Sequence, residues 1–370
     1  MSELHDHHIA VIETAAVTCR YPRRIGRNAR LGSHGEGMTS PIVHIGTDQG
    51  AGGWGLLRGE LGDVHRLIGR RVAELFEPAV GVLHDDLLPL DFALHDLAGV
   101  ILGMPVYQML ASSAGQQPTR AVPCYDGAIY MDDLDPEDAP SGITAVLRNC
   151  AADYALGYRA FKLKIGRGHR WVEAQAGLRR DVEVTRAVRE QYPTCDILVD
   201  ANDGYTPEGF LDYLRAVVDC DLFWIEEPFP ETRDDLLRLR HALEQQSPRT
   251  LIADGEAHPD IRLLLDLAAE GLVDVLLMDI VGLGLTRWRR LMPALCELGV
   301  GASPHAWGDP LKTLYAAHIA AGLGNVVTVE GVPGTAETVD TSAYRLEEGL
   351  LALPDLPGWG LQSRRKRLDY

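Results

Sequence analysis

From about residue 121 onward the sequence settles into a rhythm that few folds can accommodate, with short apolar runs alternating with amphipathic helical stretches. The runs are "AVPCYDG", "AFKLKIG", "DILVDAN", "LFWIEEP", "TLIADGE", "DVLLMDI", "GVGASPH" and "VVTVEGV", eight strand candidates in all. Seven helical stretches separate them, among them "RWVEAQAGLRRDVEVTRAVREQY", "TPEGFLDYLRAVVD" and "DPLKTLYAAHIAAGL". Regular alternation of strand and helix calls for parallel strands with helices outside them. Eight such units in about 225 residues predict an α/β fold, a closed (β/α)7β TIM-type barrel over residues 121–344. An open doubly wound sheet would carry a Gly-rich phosphate turn after its first strand, and "CYDGAIYMDD" is not one.

Residues 1–120 read differently. "AAVTCRYP" and "SPIVHIGTDQGAGGWGLL" are expected as strands of an antiparallel meander, the latter turning at "TDQGAGG". "DVHRLIGRRVAELF" and "PLDFALHDLAGVIL" space their apolar residues as helices do. Together they predict a small N-terminal α+β domain over residues 1–120. The Pro- and Gly-rich segment "LEEGLLALPDLPGWGLQ" cannot be another barrel unit, and residues 345–370 are expected to pack back on that domain.

No apolar run is long enough to span a membrane, and the start "MSELHDHHIAVIE" lacks the basic and apolar regions of a signal peptide. Six cysteines without a CxxC pair suit reduced thiols, so a cytoplasmic location is expected. A formal charge of −18 argues against nucleic acid as a partner. His5, His7 and His8 could bind a metal, but a frayed, solvated terminus is the reading preferred.

The chemistry gathers at the ends of the strand candidates. In "FKLKIG" the lysines Lys162 and Lys164 share one face, because side chains alternate along a strand. In a central parallel strand both ammonium groups would be buried, and buried charges need partners. The following strand ends offer them: Asp200 and Asn202, Glu226 and Glu227, Asp254 and Glu256, then Asp279, His305 and Glu330. In such barrels the C-terminal strand ends converge on one mouth. Asp200, Glu226 and Glu256 come from three consecutive strands and supply only hard oxygen ligands, which favours Mg2+ over zinc. Lys164, beside a second ammonium and a divalent cation, would have its pKa lowered toward that of a usable base, while Lys162 stays charged and steadies a substrate oxygen. Asp279 and His305 lie on adjacent strands, and a carboxylate fixing an imidazole tautomer sets up a second acid or base.

The ordered set "KLK", "VDAN", "IEEP", "DGE", "MD" and "SPH" resembles the enolase superfamily, and more narrowly its mandelate racemase-like group. The resemblance extends over nearly the whole chain, capping domain included. It implies Mg2+ on Asp200, Glu226 and Glu256, acid/base roles for Lys164 and for the Asp279–His305 dyad, and substrate oxygens held by Lys162, Asn202 and Glu330. One motif departs from the group: "DGEA" stands where Gly-Glu-Asn is usual, with the ligand kept.

A metal with bases on two faces suits removal of a proton next to a carboxylate. The resemblance places dehydration of a sugar acid, an aldonate or aldarate, to a 2-keto-3-deoxy acid ahead of racemisation, epimerisation or cycloisomerisation. A barrel that only binds its ligand is the non-enzyme alternative. The loop "CRYPRRIGRNARLGSHGEG" crowds five arginines, Arg20, Arg23, Arg24, Arg27 and Arg30, into an acidic protein. In the resembling family this loop covers the barrel mouth, and Arg24 is nominated to bind a substrate carboxylate or hydroxyl. The partners expected are thus a small carboxylate substrate and further copies of the chain in a homo-oligomer, with no nucleic acid or membrane.

Overall fold

The structure, a computed structural model, describes residues 3–257 and 259–363. The cap begins with three antiparallel strands, β1 (Ile9–Ile25), β2 (Gly35–Thr47) and β3 (Gly52–Leu56). Helix α1 (Asp91–Leu102) lies directly on β3, and glycines make the approach possible. A Cβ at Gly53 would stand 2.3 Å from the Leu97 nitrogen, and one at Gly55 2.6 Å from the Phe92 Cβ. Helix α2 (Val106–Ala114) follows. The meander and α1 agree with the sequence reading, but "DVHRLIGRRVAELF" does not fold as a helix. It forms single 3-10 turns at His65–Leu67 and Val72–Glu74, then pairs Phe76–Glu77 with Gly81–Val82. Gly69 between the turns has φ +81°, a conformation that ends a helix. The N-terminus is packed rather than frayed: Leu4 is buried, and His8 pairs with Asp48 at 3.1 Å.

The barrel follows. Its eight strands are β4 (Ala121–Ile129), β5 (Ala160–Lys164), β6 (Asp196–Asp200), β7 (Trp224–Glu226), β8 (Leu251–Asp254), β9 (Val275–Leu276), β10 (Gly301–Ala302) and β11 (Val329–Gly331). Consecutive strands pair in parallel, β11 pairs with β4, and a bridge from Ala302 to Val326 closes the ring. Among the described residues the longer helices between them are α3 (Ile143–Ala155), α4 (Ala174–Gln191), α5 (Pro207–Ala216), α6 (Arg233–Gln246), α7 (Ile261–Ala269), α8 (Leu285–Leu298) and α9 (Pro310–Leu323), with a further α-helical turn at Ile280–Leu283. Their starts are written in the sequence. Thr206 and Asp309 accept backbone N–H groups as N-caps, each with proline next in the chain. Such a cap stabilises a helix by about 1 kcal/mol.

Side chains alternate across each strand. On β6, Ile197 and Val199 face the helices, while Leu198 joins Tyr125, Trp224, Ala253, Val275 and Leu277 in a plug that fills the lower barrel. The polar strand ends stand above that plug, which fixes the mouth as the place where charge collects. After β11 the chain adds β12 (Thr335–Ala336) to the free edge of β1, joining cap to barrel. A hairpin of β13 (Arg345–Glu347) and β14 (Leu350–Ala352) then pairs antiparallel with β4. Beyond it Trp359 buries its ring among Phe92, Tyr315 and His318 and donates its indole N–H to the Phe92 carbonyl at 3.0 Å. The expected return of residues 345–370 to the cap thus meets α1 at Trp359, while the hairpin stays on the barrel; residues 364–370 lie outside the described residues. All six cysteines are free thiols, and no helix among the described residues is long and apolar enough to cross a membrane.

Candidate active site

Strand register sets the site's levels. Lys164 on β5 pairs with Asp200 on β6, and Asp200 with Glu226 on β7, so three charged side chains leave the barrel at one height. Lys162, Leu198 and Trp224 form the row beneath. Glu256 arrives just past β8, after Gly255 at φ +111°. Asp200, Glu226 and Glu256 each offer an oxygen within 4.8 Å of the others'. The turns after these strands hold non-glycine residues in the left-handed region: Asn202 at φ 44°, Asp203 at 54° and Glu227 at 40°. Such conformations cost on the order of 1–3 kcal/mol each and persist where the surroundings force them.

Both lysines are buried and paired. Lys162 Nζ lies 2.8 Å from Glu226 Oε1, 2.9 Å from Glu330 Oε1 and 3.4 Å from Asp200 Oδ2. Lys164 Nζ donates to Asp200 Oδ2. The rings of Tyr125 and Tyr130 stand 5.5 Å from the first ammonium and 5.3 Å from the second. Burial works to lower both lysines, but the carboxylates outweigh it and raise them, Glu226 and Glu330 for Lys162, Asp200 and Glu256 for Lys164. The sequence reading lowered Lys164 instead. That reading included a divalent cation, whose charge acts against the carboxylates' pull.

His305 closes the other side. Its Nδ1 lies 3.2 Å from Asp279 Oδ2, and its Nε2 is 3.2 Å from Glu256 Oε1. Burial disfavours its charged form, yet Glu256, Glu330 and the bond to Asp279 lift it to about 10. Burial would raise Glu256, but His305 and Lys164 hold it well below the usual carboxylate range. Glu330, expected to hold substrate, has one oxygen on Lys162. The other accepts the backbone N–H groups of Ala306 and Trp307, at 2.7 and 2.9 Å. Asn202 stands in the same mouth with its buried Oδ1 free of any hydrogen bond.

Three groups here were given no role of their own by the sequence reading. Glu227 accepts the Glu256 and Ala257 N–H groups, at 3.1 and 3.0 Å, and so ties down the loop bearing the third carboxylate. Burial and the nearby Glu256 push it to about 8. Its doubling with Glu226 in "IEEP" was the available signal. Trp307, Tyr130 and His34 form an aromatic wall, with Tyr130 4.8 Å from Trp307 and 4.7 Å from His34 by ring centroids. His34 rides on the arginine-rich loop, and only the fold brings it there. Lys312 bonds Asp279 Oδ2 at 2.7 Å.

The arginines of that loop are a correction. Arg20 pairs with Glu337, Arg23 with Asp153, Arg27 with Asp135 and Glu137, and Arg30 with Asp203. They clamp the loop to the barrel. Arg24 is exposed, donates to Ser33 Oγ at 3.0 Å, and lines a cleft against α3 instead of the carboxylate cluster.

Three clustered carboxylates, two buried ammonium groups and a His–Asp pair thus meet at one end of the barrel. Residues 145–367 match the family described as Enolase C-terminal domain-like, and the chain belongs to it. It is 27% identical over 288 residues to D-xylonate dehydratase of Haloferax volcanii, covering 74% of this chain and 66% of that protein. It is 28% identical over 342 residues to L-Lys-D/L-Arg epimerase of Methylococcus capsulatus, covering 89% and 84%. Among solved structures, galacturonate dehydratase from Geobacillus sp. with D-galacturonate and 5-keto-4-deoxy-D-galacturonate superposes at a TM-score of 0.89. That pair shares 33% identity over 97% of this chain and 95% of the other. A variant of the Geobacillus dehydratase complexed with Mg superposes at 0.91, with 32% identity over 97% and 94% of the two chains. An N-terminal cap on a C-terminal TIM barrel is the fold of this chain, and Mg2+ is its cofactor. The residues present fit that ion: three oxygen donors from successive strands, with Glu256 Oε2 buried and unbonded.

Proposed function

We propose that this protein is a Mg2+-dependent sugar-acid dehydratase that removes the proton α to a carboxylate and expels the β-hydroxyl as water. The observation that carries the reading is the placement of Lys164 and His305 at the two ends of one carboxylate triad. Asp200, Glu226 and Glu256 would hold the ion, which when bound polarises the substrate carboxylate as a Lewis acid. Lys162, kept charged by Glu226 and Glu330, is placed to meet the negative charge that develops on that carboxylate. One of Lys164 and His305 takes the α-proton; the other gives a proton to the departing hydroxyl, so the immediate products are an enol and water, and the enol tautomerises to the keto acid by moving its hydroxyl proton to the β-carbon. Asp279 holds His305 with Nδ1 as donor and leaves Nε2 facing the triad. The unbonded Oδ1 of Asn202 suits a sugar hydroxyl, and the wall of Tyr130 and Trp307 suits the apolar face of a sugar ring or chain. Glu330 fixes Lys162 and the His305 loop and, in this reading, also meets a substrate oxygen.

Aldonates and aldarates remain in the substrate class, and the likeness to galacturonate dehydratase adds uronates, D-galacturonate first. The test is incubation of Mg2+-loaded protein with D-galacturonate and a panel of aldonates and aldarates, scoring keto-acid formation and solvent deuterium at the α-carbon. Absence of both across the panel rejects the reading. Exchange with inversion and no water loss favours the second reading, epimerisation, to which the similarity to the L-Lys-D/L-Arg epimerase lends weight.

A further inference from the structure

Both oxygens of Asp279 are engaged at the mouth. Its Oδ1 accepts the backbone N–H groups of Val281 and Gly282, at 2.9 and 2.7 Å, and caps the helical turn Ile280–Leu283. Its Oδ2 is shared between His305 Nδ1 at 3.2 Å and Lys312 Nζ at 2.7 Å. The lysine is thus the shorter contact, although the dyad is the expected pair. Lys312 also reaches the carbonyl of Trp307, the residue two past His305, at 3.3 Å. One ammonium therefore touches both the carboxylate that orients His305 and the backbone that follows it.

The position of Lys312 runs against default helix electrostatics. It sits in the first turn of α9, after Asp309 at the N-cap and Pro310, where the helix dipole disfavours a cation. A lysine stays there at a cost unless a nearby anion offsets it, and Asp279 is that anion. The pair is only partly solvated, with side-chain exposures of 18% and 24%, so it is screened less than a surface ion pair. The two acceptors take two of the three N–H donors of Lys312 Nζ.

We propose that Lys312 is a positioning residue that locks the Asp279 carboxylate against His305 Nδ1, so that Nε2 is presented to the reacting carbon. The inference rests on the reading of His305 as an acid/base in "Proposed function". Without Lys312, Oδ1 stays on the Val281 and Gly282 N–H groups while Oδ2 has only the longer His305 contact, so the Oδ2 side of the carboxylate is held less firmly against the imidazole. A misdirected imidazole loses orientation rather than substrate affinity. The loss belongs in kcat and not in KM.

The experiment uses the full-length, Mg2+-loaded protein with Lys312→Met, which keeps the chain length and removes the charge, Lys312→Arg, which restores it, and His305→Asn. The first readout is the downfield proton resonance of the His305 Nδ1–H, identified by its disappearance in His305→Asn. In Lys312→Met it should weaken through faster exchange with water, and in Lys312→Arg it should return. It needs no substrate, so it decides the proposal whichever sugar acid is turned over. The second readout is turnover of D-galacturonate: Lys312→Met should lose about tenfold in kcat with KM within about twofold, and Lys312→Arg should regain most of it. An unchanged Nδ1–H resonance in Lys312→Met overturns the proposal, as does a parental kcat in that variant while His305→Asn is inactive. A His305→Asn variant with parental turnover instead rejects the role of His305 in catalysis, a separate failure.

Discussion

Lys164 and His305 grip the same carboxylate triad from its two ends: Lys164 Nζ donates to Asp200 Oδ2, and His305 Nε2 lies 3.2 Å from Glu256 Oε1. The strands that carry them, β5 and β10, approach the mouth from different sides of the ring. Glu226 stands between the two outer carboxylates and is held from below by Lys162 and by the Trp224 indole, whose Nε1 donates at 3.1 Å. A substrate carbon above the triad would therefore have a base on each side and a fixed anionic floor beneath.

Deleting the two bases should consequently have different effects. Losing the group that abstracts the α-proton should end both deuterium exchange and product formation. Losing only the group that protonates the leaving hydroxyl should spare slow exchange while elimination stalls, a loss of roughly 10²–10⁴ in product formation. The measurement is α-proton exchange and keto-acid yield for Lys164→Ala and His305→Asn on one substrate. Product formation at the parental rate in both variants would falsify the assignment of either as acid or base.

Glu226→Gln should remove one anionic donor from the centre of the triad. It also leaves Lys162 with two carboxylate contacts instead of three, Asp200 and Glu330. Mg2+ binding, followed calorimetrically, should weaken sharply and turnover should cease, with the far-ultraviolet dichroism of the barrel unchanged. Full activity in chelated parental enzyme would contradict the metal's role altogether.

The strand ends were legible in the sequence because a barrel turns order along the chain into position around a ring. "VDAN", "IEEP" and "DGE" needed no long-range information beyond the fold. What escaped were contacts made by side chains that do not stand at a strand end. The arginines of the loop were visible, but Asp153, which binds Arg23, lies 130 residues on, and Glu337, which binds Arg20, lies 317 residues on. Four of the five crowded arginines, Arg20, Arg23, Arg27 and Arg30, are thus a clamp whose partners the loop's own sequence does not show. Lys312 was hidden for a related reason: it belongs to a helix pattern, and only the turn at Trp307–Asp309 swings that helix start under Asp279. The failed helix over "DVHRLIGRRVAELF" has a local cause, since its apolar spacing was honoured by burial of Leu67, Val72, Leu75 and Phe76 without helical backbone.

The clamp itself can be tested at Arg30. Its Nε donates to the Asn202 carbonyl at 2.6 Å, and its Nη2 pairs with Asp203 at 3.0 Å, directly behind Asp200. Arg30 is about half exposed, so the ion pair should contribute less than about 1 kcal/mol to stability. Its loss should instead loosen the loop that carries His34 over the mouth. Arg30→Ala is expected to raise KM several-fold with a small change in melting temperature. An unaltered KM would separate the loop from substrate binding.

A last expectation concerns pH and lies away from the metal. Asp96 in α1 is buried at the junction of cap and C-terminal segment, and its two oxygens accept the Trp54 and Trp359 backbone N–H groups, each at 2.8–2.9 Å. Burial dominates over these bonds and pushes the carboxyl up to about 7. The unfolded chain, with its aspartates near 3.8, has already released this proton at pH 5, while the folded chain keeps it. Between those values the native state binds more protons than the unfolded one, so this group's contribution to stability is greatest below about pH 4 and is lost as pH rises toward 7. Asp96→Asn cannot titrate, and it turns an amide donor toward one of the two N–H groups, so it should be less stable than the parent throughout. The informative quantity is the gap in melting temperature between parent and variant. It should narrow steadily from pH 4.5 to pH 7.5, because only the parent loses the Asp96 contribution over that range; a gap that stays constant or widens would show that Asp96 is ionised in the folded protein.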